Sequence, residues 1–289
     1  MTPQPCIACG AEAWRALYRG LTRCDHCGFT RAAELPSAAE LARLYGAGYF
    51  EGEEYADYLG DAEVHRHNFR RRLDRLTRLA GPLESLYEIG CAHGLWLQAA
   101  GERGIRSAGI DISADAVRHA RETLKLDATA GSFEEAALAT GAFQAFCMWD
   151  TLEHLAHPER FISKVAGLLP AGGWFFATTG DVGSATARRQ GERWRMIHPP
   201  THLQYFSRDS VTRFLARHGL RVECIESEPM CRSLHGTLAG LRLFGRGPLA
   251  GAARLAGALV PAGVARRVRF TLDLGDIMLV AARKGAAGA

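Results

Sequence analysis

The residues with the clearest chemical purpose are Glu88, Gly90, Cys91, Ala92 and Gly94, in the run Leu86-Tyr87-Glu88-Ile89-Gly90-Cys91-Ala92-His93-Gly94. An apolar strand ends there in an acid and turns through glycines into a helix. About 20 residues later, Gly109-Ile110-Asp111 closes a second short strand on another acid. Glycine lets the backbone approach a ligand, and a carboxylate at the end of the next strand accepts hydrogen bonds from ribose hydroxyls. The pattern therefore suits a ligand that carries a nucleoside. It is not the G-x-G-x-x-G of dinucleotide sites, because only Gly90 and Gly94 are glycines and no tight pyrophosphate turn is written.

Two C-x-x-C-G knuckles, Cys6-Ile7-Ala8-Cys9-Gly10 and Cys24-Asp25-His26-Cys27-Gly28, stand near the amino terminus. Four thiolates at this spacing can close a tetrahedron around Zn²⁺, and the glycine after each knuckle lets amide groups turn toward sulfur. Four protein ligands leave no position open to water, so a structural site is expected. So short a segment cannot bury enough apolar surface to fold unaided, and the metal is expected to supply its stability. His26 is expected on the surface. Between the knuckles, three arginines with Trp14 and Tyr18 are thin material for gripping nucleic acid.

Further on, the strand Phe143 to Trp149 runs into Asp150-Thr151-Leu152-Glu153-His154-Leu155, and a later segment reads Trp194-Arg195-Met196-Ile197-His198-Pro199-Pro200-Thr201-His202-Leu203-Gln204-Tyr205-Phe206-Ser207. With these on the page, the glycine turn resembles motif I of the class I S-adenosylmethionine-dependent methyltransferases, E/D-x-G-x-G-x-G, with Ala92 at the middle glycine. Asp150 to Leu155 resembles the D-x-L-E-H-L that follows the fourth strand in many small-molecule methyltransferases. The later segment is similar to the W…P-x-H-L-x-Y/F-F-S of a subfamily that methylates sugars and other natural-product precursors, some members carrying an amino-terminal four-cysteine zinc module. The resemblance covers nearly the whole chain, apart from Leu238 to Arg266.

That resemblance implies S-adenosylmethionine as cofactor. Glu88 and the Gly90-to-Gly94 turn, with Cys91 and Ala92, would hold its methionine part; Asp111 would take the ribose and Ile112 would lie against adenine. Asp150 would lie beside the cofactor. Ser132 and Phe133 occupy the place where the family often has an acid facing the adenine amino group. Methyl transfer is an in-line displacement, so the protein must mainly orient the acceptor and remove its proton. Histidine is the natural base near neutral pH. His202 ranks first, because its loop can fold over the methyl group; His154 is second, His198 third, and Tyr205 would orient substrate or base. Two other roles stay open. Glu153 and His154 can merely cap their helix and bind the 197–203 loop. Alternatively, Asp150, Glu153, His154 and His202 resemble the E-x-x-E-H stretch plus later histidine that holds a divalent cation in some catechol and RNA-ribose methyltransferases.

Positioning these groups requires an α/β architecture. Strands are expected at Ser85–Ile89, Ser107–Ile110, Ala128–Gly131, Phe143–Trp149, Trp174–Thr178, Leu220–Ile225 and Ile277–Ala282; the resemblance implies that the last two, joined through the apolar insertion, form the antiparallel edge hairpin of this methyltransferase class. Helices lie between, one capped by Ser113, one from Pro158 to Leu169 and one capped by Ser207. Ser37-Ala38-Ala39-Glu40 is a capping box opening a helix through Tyr45. The alternation predicts a Rossmann-like, seven-stranded, mostly parallel sheet with helices on both faces, plus the small zinc ribbon. The expected organisation is a ribbon over 1–34, a helical cap over 35–80 and the S-adenosylmethionine-binding domain over 81–289, with an apolar helical insertion over 235–272. In the arginine-dense run Arg66 to Arg78, Phe69, Leu73, Leu76 and Leu79 recur at helical spacing, so its arginines are expected on a solvated face. Tyr45, Tyr49, Phe50, Tyr55 and Tyr58 fill a glycine-rich segment that either caps the pocket or packs the linker.

Composition narrows the function classes. The formal charge is only +4, with 47% hydrophobic and 23% charged residues, the values of an ordinary globular chain. That balance argues against a dedicated nucleic-acid binder, and the resemblance implies a small-molecule substrate. The competing class is an RNA-associated protein that grips nucleic acid with its ribbon. Met1 to Pro5 lead straight into a cysteine motif without an apolar run, and eight cysteines without an export signal favour metal or buried thiols, so a cytoplasmic location is expected. Gly247 to Gly263 is too short and broken to span a bilayer; it packs as a lid or lies against a membrane surface.

Overall fold

The structure, a computed structural model, describes residues 4–44, 58–243, 251 and 260–285. Tyr45, Tyr49, Phe50 and Tyr55, and much of the expected apolar insertion, lie outside the described residues. The amino-terminal unit holds β1 (Trp14–Ala16), β2 (Leu21–Cys24) and β3 (Thr30–Ala32), followed by α1 (Ala38–Leu44) and α2 (Ala62–Ala80). The body continues with β4 (Ser85–Ile89), α3 (Leu95–Gly101), β5 (Arg106–Asp111), α4 (Ala114–Glu122), β6 (Ala128–Ala130), β7 (Ala145–Trp149), α5 (Pro158–Leu168), β8 (Trp174–Gly180) and α6 (Ala185–Gln190). Then come β9 (Gln204–Tyr205), α7 (Arg208–Arg217), β10 (Leu220–Ser227), β11 (Met230–Ser233), α8 (Leu234–Leu243), α9 (Ala262–Arg267), β12 (Arg269–Leu272) and β13 (Ile277–Lys284).

Seven strands form the central sheet in the order β10-β13-β8-β7-β4-β5-β6. Its β4–β8 pairings are parallel, while β13 runs antiparallel between β8 and β10. The expected α/β class and the antiparallel pair are both present. Strand alternation splits the core in two. Tyr87, Ile89, Phe146, Met148 and Phe175 face one side, packed with Ile162 and Val165 of α5 and Phe214 of α7. Leu86, Cys147, Trp149 and Phe176 face the other, packed with Phe69, Leu73 and Leu76 of α2 and Trp96 of α3. Glu88 alternates onto this second face, which aims it at α2.

The caps follow the sequence. Ser37 and Glu40 exchange hydrogen bonds (Ser37 N–H to Glu40 Oε2, 2.8 Å; Glu40 N–H to Ser37 Oγ, 3.3 Å). Ser207 and Ser210 close a capping box at α7, and Ser113 Oγ accepts from the Ala116 amide.

Two expectations change. The arginines of α2 do not all face solvent: Arg72 is only 1% exposed at its side chain and pairs with Glu228 (3.0 Å) and Asp150 (3.4 Å). It sits three residues from Phe69 and four from Leu76, inside the apolar stripe, so the helical period carries it inward. The ribbon, expected to draw its stability from metal, is also packed into the body. Its sheet is extended by β9 of the body in the order β1-β2-β3-β9. Phe29 is fully buried with its ring centroid 4.9 Å from that of Phe206, and the knuckle cysteines join the same core as α5 and α7. Burying a side chain of this size contributes about 1.5–3 kcal/mol, which supplements whatever a bound metal adds.

Candidate active site

A cavity of about 760 Å³ opens along the carboxyl ends of β4, β5, β6 and β7. Glu88, Gly90, Cys91, Ala92, Asp111, Ile112, Ser132, Phe133 and Asp150 line it, as does His154. Gly94 does not. A Cβ on Gly94 would meet Leu126 Cδ1 at 2.7 Å and Ala120 Cβ at 2.9 Å, so this glycine lets the start of α3 pack beside α4 rather than face a ligand. Gly90 has φ +82°, and a Cβ there would meet Thr151 Oγ1 at 2.5 Å. Ala92, at the middle glycine of the motif, holds φ +44°, the left-handed region that a side chain disfavours.

The acids behave differently. Asp111 accepts the Ala92 amide on Oδ2 and the Ser113 amide on Oδ1, each at 2.8 Å. Burial raises its pKa while those amides pull it down. Each oxygen keeps a second lone pair for a ligand hydroxyl. Glu88 is buried and its Oε2 has no hydrogen-bond partner among the described residues. Burial, and then the nearby Asp111, push its pKa well above the carboxylate range. Asp150 takes φ +50° at the end of β7, where its amide donates to Thr178 Oγ1 and Oδ1 accepts from the same hydroxyl, both at 2.9 Å. Ile112 is 53% exposed at the rim. Phe133 is mostly core, stacked on Phe161, and Ser132 Oγ accepts the Glu134 amide at 3.2 Å.

Several lining residues were missed from sequence. Arg72 stands between Asp150 and Glu228 over the Trp149 ring, 5.1 Å from its centroid. His65 and Tyr58 stack with centroids 4.2 Å apart, and burial holds His65 neutral with a pKa of about 4. Tyr58, from the aromatic segment, therefore reaches the pocket wall. Asn68 lines the cavity too, while its side chain brackets the Cys231 backbone (Nδ2–H to Cys231 O, 3.0 Å; Cys231 N–H to Oδ1, 2.8 Å). The signal was available: residues 65, 68, 69 and 72 fall on one helical face.

The predicted bases form one cluster, but they do not share the cavity. His154 and His202 rings meet edge to face at 4.6 Å, and His198 lies 3.8 Å from His202. Of the four candidates, only His154 lines the cavity. His202 is one ring further back and buried, its Nδ1 donating to Met196 O at 2.9 Å; Tyr205 is buried and its hydroxyl donates to His202 O at 2.9 Å. His198 Nδ1 meets Thr201 Oγ1 at 2.6 Å. His154 Nδ1 donates to Thr201 O at 3.0 Å. A carbonyl can only accept, so His154 and His202 carry their neutral protons on Nδ1 and keep Nε2 basic. Burial, then the neighbouring histidines, lower His154 to about 4 and His202 well below the ordinary value.

Behind these rings lies Glu153, buried, with neither carboxylate oxygen hydrogen-bonded among the described residues. Burial and then Asp150 raise its pKa to about 8. Ligand atoms of Glu153, His154 and His202 lie within 4.8 Å of one another. Asp150 is not in that trio; its carboxylate is committed to Thr178 and Arg72.

At the other end, Cys6, Cys9, Cys24 and Cys27 place their sulfurs within 4.8 Å of one another, with Cys6–Cys27 and Cys9–Cys24 each at 3.6 Å. Sulfurs ligating one tetrahedral zinc stand ~3.8 Å apart, so the four are arranged as a ligand set.

Residues 64–225 match a family described as a methyltransferase domain. The chain is 29% identical over 113 residues to the ubiquinone biosynthesis O-methyltransferase of Chromobacterium violaceum, which is 37% of this chain and 48% of that protein. To the protein of that name from Xanthomonas campestris pv. campestris it is 32% identical over 115 residues, again 37% and 48%. The chain thus spans about half the length of the curated relatives it matches. Among solved structures it is similar to a SAM-dependent methyltransferase from Archaeoglobus fulgidus, with a TM-score of 0.51 and 17% identity over 76% of this chain and 94% of that one. One from Thermotoga maritima gives 0.51 and 14%, over 78% and 92%. These two likenesses bear on the fold alone. The family match is another matter: it covers more than half of the chain and takes in Glu88, Asp111 and His154 together, so the chain belongs to the methyltransferase-domain family.

Proposed function

We propose that the cavity binds S-adenosylmethionine and that the chain transfers its methyl group to an oxygen or carbon of a small polar acceptor, a sugar, sugar-nucleotide or related natural-product precursor. The observation that carries this reading is the pairing, in one cavity, of an unsatisfied Glu88 carboxylate with Asp111 at one end and His154 at the other. The cavity volume falls in the range of roughly 300–1,000 Å³ typical of small-ligand sites. The donor's ammonium group would satisfy Glu88, and its ribose hydroxyls would meet the remaining lone pairs of Asp111. The bound sulfonium supplies an activated leaving group. Orientation and proton removal are left to the protein. His154, the candidate that lines the cavity, is the base this geometry favours; the Thr201 carbonyl and the Leu203 amide hold its segment. We also assign Zn²⁺ to the four cysteines, as a structural ion.

Titration calorimetry with S-adenosylhomocysteine tests the reading. Binding is expected, and Asp111→Ala is expected to weaken it by about ten- to a hundredfold, the loss of a charge-assisted hydrogen bond. No binding by folded, metal-replete protein would overturn it.

A second reading rests on the bare carboxylate of Glu153. With ligand atoms of His154 and His202 within 4.8 Å, it would form the anionic corner of a divalent-cation site that polarises an acceptor hydroxyl. Metal analysis separates the two roles of His154. A second equivalent of metal beyond the cysteine-bound one, lost in His202→Ala, favours the cation; a single equivalent in both proteins leaves His154 as base alone.

A further inference from the structure

The chain's excess positive charge is not spread over its surface. Between Glu228 and Asp273 lie 44 residues with seven arginines and no carboxylate. Without those seven, the remaining basic residues number 28 against 31 acidic ones, so the whole net charge of +4 comes from this insertion between β10 and β13. Its described parts are β11, α8, α9 and β12. β11 and β12 form an antiparallel pair, with Cys231 opposite Thr271. Asn68 brackets the Cys231 backbone, and Ser233 Oγ donates to Asp61 Oδ1 at 2.8 Å, which anchors the base of the insertion to the start of α2.

The outer surface of these described parts is both apolar and cationic. Val264 is 52% exposed and Val268, one helical turn on, 46%. Leu272 and Leu274 follow at 41% and 47%. Arg267 and Arg269 are exposed among them, and no ion pair among the described residues engages either. Some exposed arginines elsewhere, such as Arg70, Arg103 and Arg118, have a carboxylate partner. From Pro229 to Leu272 the sequence offers none, and the first carboxylate after it, Asp273, accepts from Ser227 Oγ and the Gly275 amide.

We propose that this face docks on an anionic lipid bilayer. Basic side chains attract acidic headgroups, while valine and leucine side chains between them enter the headgroup boundary. A nucleic acid fits less well, because the exposed apolar residues are aliphatic and offer no ring for a base to stack on. A second copy of the chain fits less well too, since a two-fold contact would set arginines against arginines. Among the described residues no helix is long and apolar enough to cross a membrane, so the contact is peripheral. Because β11 also carries Met230 into the cavity wall, the docked face and the acceptor site share one structural unit. The proposal does not depend on the methyl-transfer reading.

Sedimentation of the full chain with extruded vesicles tests it. Vesicles of phosphatidylcholine mixed with phosphatidylglycerol are expected to carry the protein down, pure phosphatidylcholine to leave it in solution, and added salt to release it. The pair Arg267→Glu and Arg269→Glu is expected to weaken partitioning roughly thirtyfold or more. Val264→Ser with Val268→Ser, a milder change, is expected to weaken it through the apolar contribution alone. Absence of phosphatidylglycerol-dependent sedimentation by the unaltered protein overturns the proposal. So does partitioning that neither pair of substitutions alters, and so does binding of a labelled RNA oligonucleotide in place of vesicles.

Discussion

The amide of Ala32, at the end of the last ribbon strand, donates to the carbonyl of Leu203 at 2.8 Å, and the amide of Leu203 in turn donates to the carbonyl of Glu153 at 2.8 Å. The cysteine cluster and the histidine cluster are thereby joined through three backbone segments. β3 pairs with β9 through Thr30–Tyr205 and Arg31–Gln204, and Arg19 donates to Ile197 O at 3.2 Å from the other side. The ribbon braces the loop that carries His198 and His202.

Removing metal from the ribbon should therefore be felt at the histidines before it is felt at the nucleoside end. Chelation, or Cys24→Ser, is expected to raise amide exchange at Leu203 and Gln204 while leaving S-adenosylhomocysteine affinity nearly unchanged. A displaced histidine loop is expected to lower methyl transfer by about a hundredfold. Exchange mass spectrometry on the metal-free protein checks the coupling. Equal protection of these amides with and without metal would show that the ribbon and the loop are independent.

Two neighbouring turn positions should respond in opposite senses. Gly90→Ala adds a Cβ at φ +82° where Thr151 Oγ1 stands 2.5 Å away, so both backbone strain and overlap act. A destabilisation of about 2–3 kcal/mol is expected, with loss of nucleoside binding. Ala92→Gly relieves a side chain held at φ +44°. The relief of roughly 1–2 kcal/mol is partly offset by the unfolded-state entropy of glycine, leaving a gain of under about 1 kcal/mol. Chemical denaturation of both variants decides it; a destabilised Ala92→Gly would mean the alanine methyl packs usefully.

The central strands were legible because burial is continuous: all five residues of Ser85–Ile89 are buried, as are all five of Ala145–Trp149, and such runs between turn residues have no other reading in this context. The strand-end acids and the two cysteine knuckles were legible from their local spacing. What failed needed information from far along the chain. β9 is two residues long, with no periodicity to betray it, and it exists only because β3 offers an edge. Arg72 meets Glu228 across 156 residues of sequence, so its charge pointed outward on paper and inward in the fold. Spacing also cannot say which of the three histidine rings lines the cavity; that depends on contacts such as His154 Nδ1 with the Thr201 carbonyl and His202 Nδ1 with the Met196 carbonyl.

Arg72 offers a test of the buried pair. Glu228 is almost fully buried and receives both Arg72 and Arg75. Arg72→Met leaves that carboxylate short of one donor and also deprives Asp150 of its cation. A loss of about 1.5–3 kcal/mol is expected, since a buried carboxylate loses one charge-assisted hydrogen bond while Arg75 still pairs with it. Combining Arg72→Met with Glu228→Gln should recover part of it. Denaturation midpoints of the two single variants and the double variant measure the coupling, and strict additivity would remove the pair from any structural role.

Glu153 supplies the pH dependence. Burial and the Asp150 carboxylate raise its pKa to about 8, above the ordinary 4.5 it has when unfolded. Between those two values the folded chain binds more protons than the unfolded one, so the contribution of this group to stability falls as pH rises from about 4.5 to 8. Glu153→Gln mimics the protonated form throughout. Its thermal midpoint is expected to match that of the unaltered protein near the acid end and to exceed it progressively toward pH 8. A divalent cation held by Glu153, His154 and His202 reverses the sense, because metal replaces the proton and stabilises the ionised carboxylate. Added Mn²⁺ at pH 8 should then raise the midpoint of the unaltered protein and leave that of Glu153→Gln where it was. Parallel midpoint curves for the two proteins over the whole range, with and without the ion, would mean that the Glu153 carboxyl neither keeps its proton nor exchanges it for a metal.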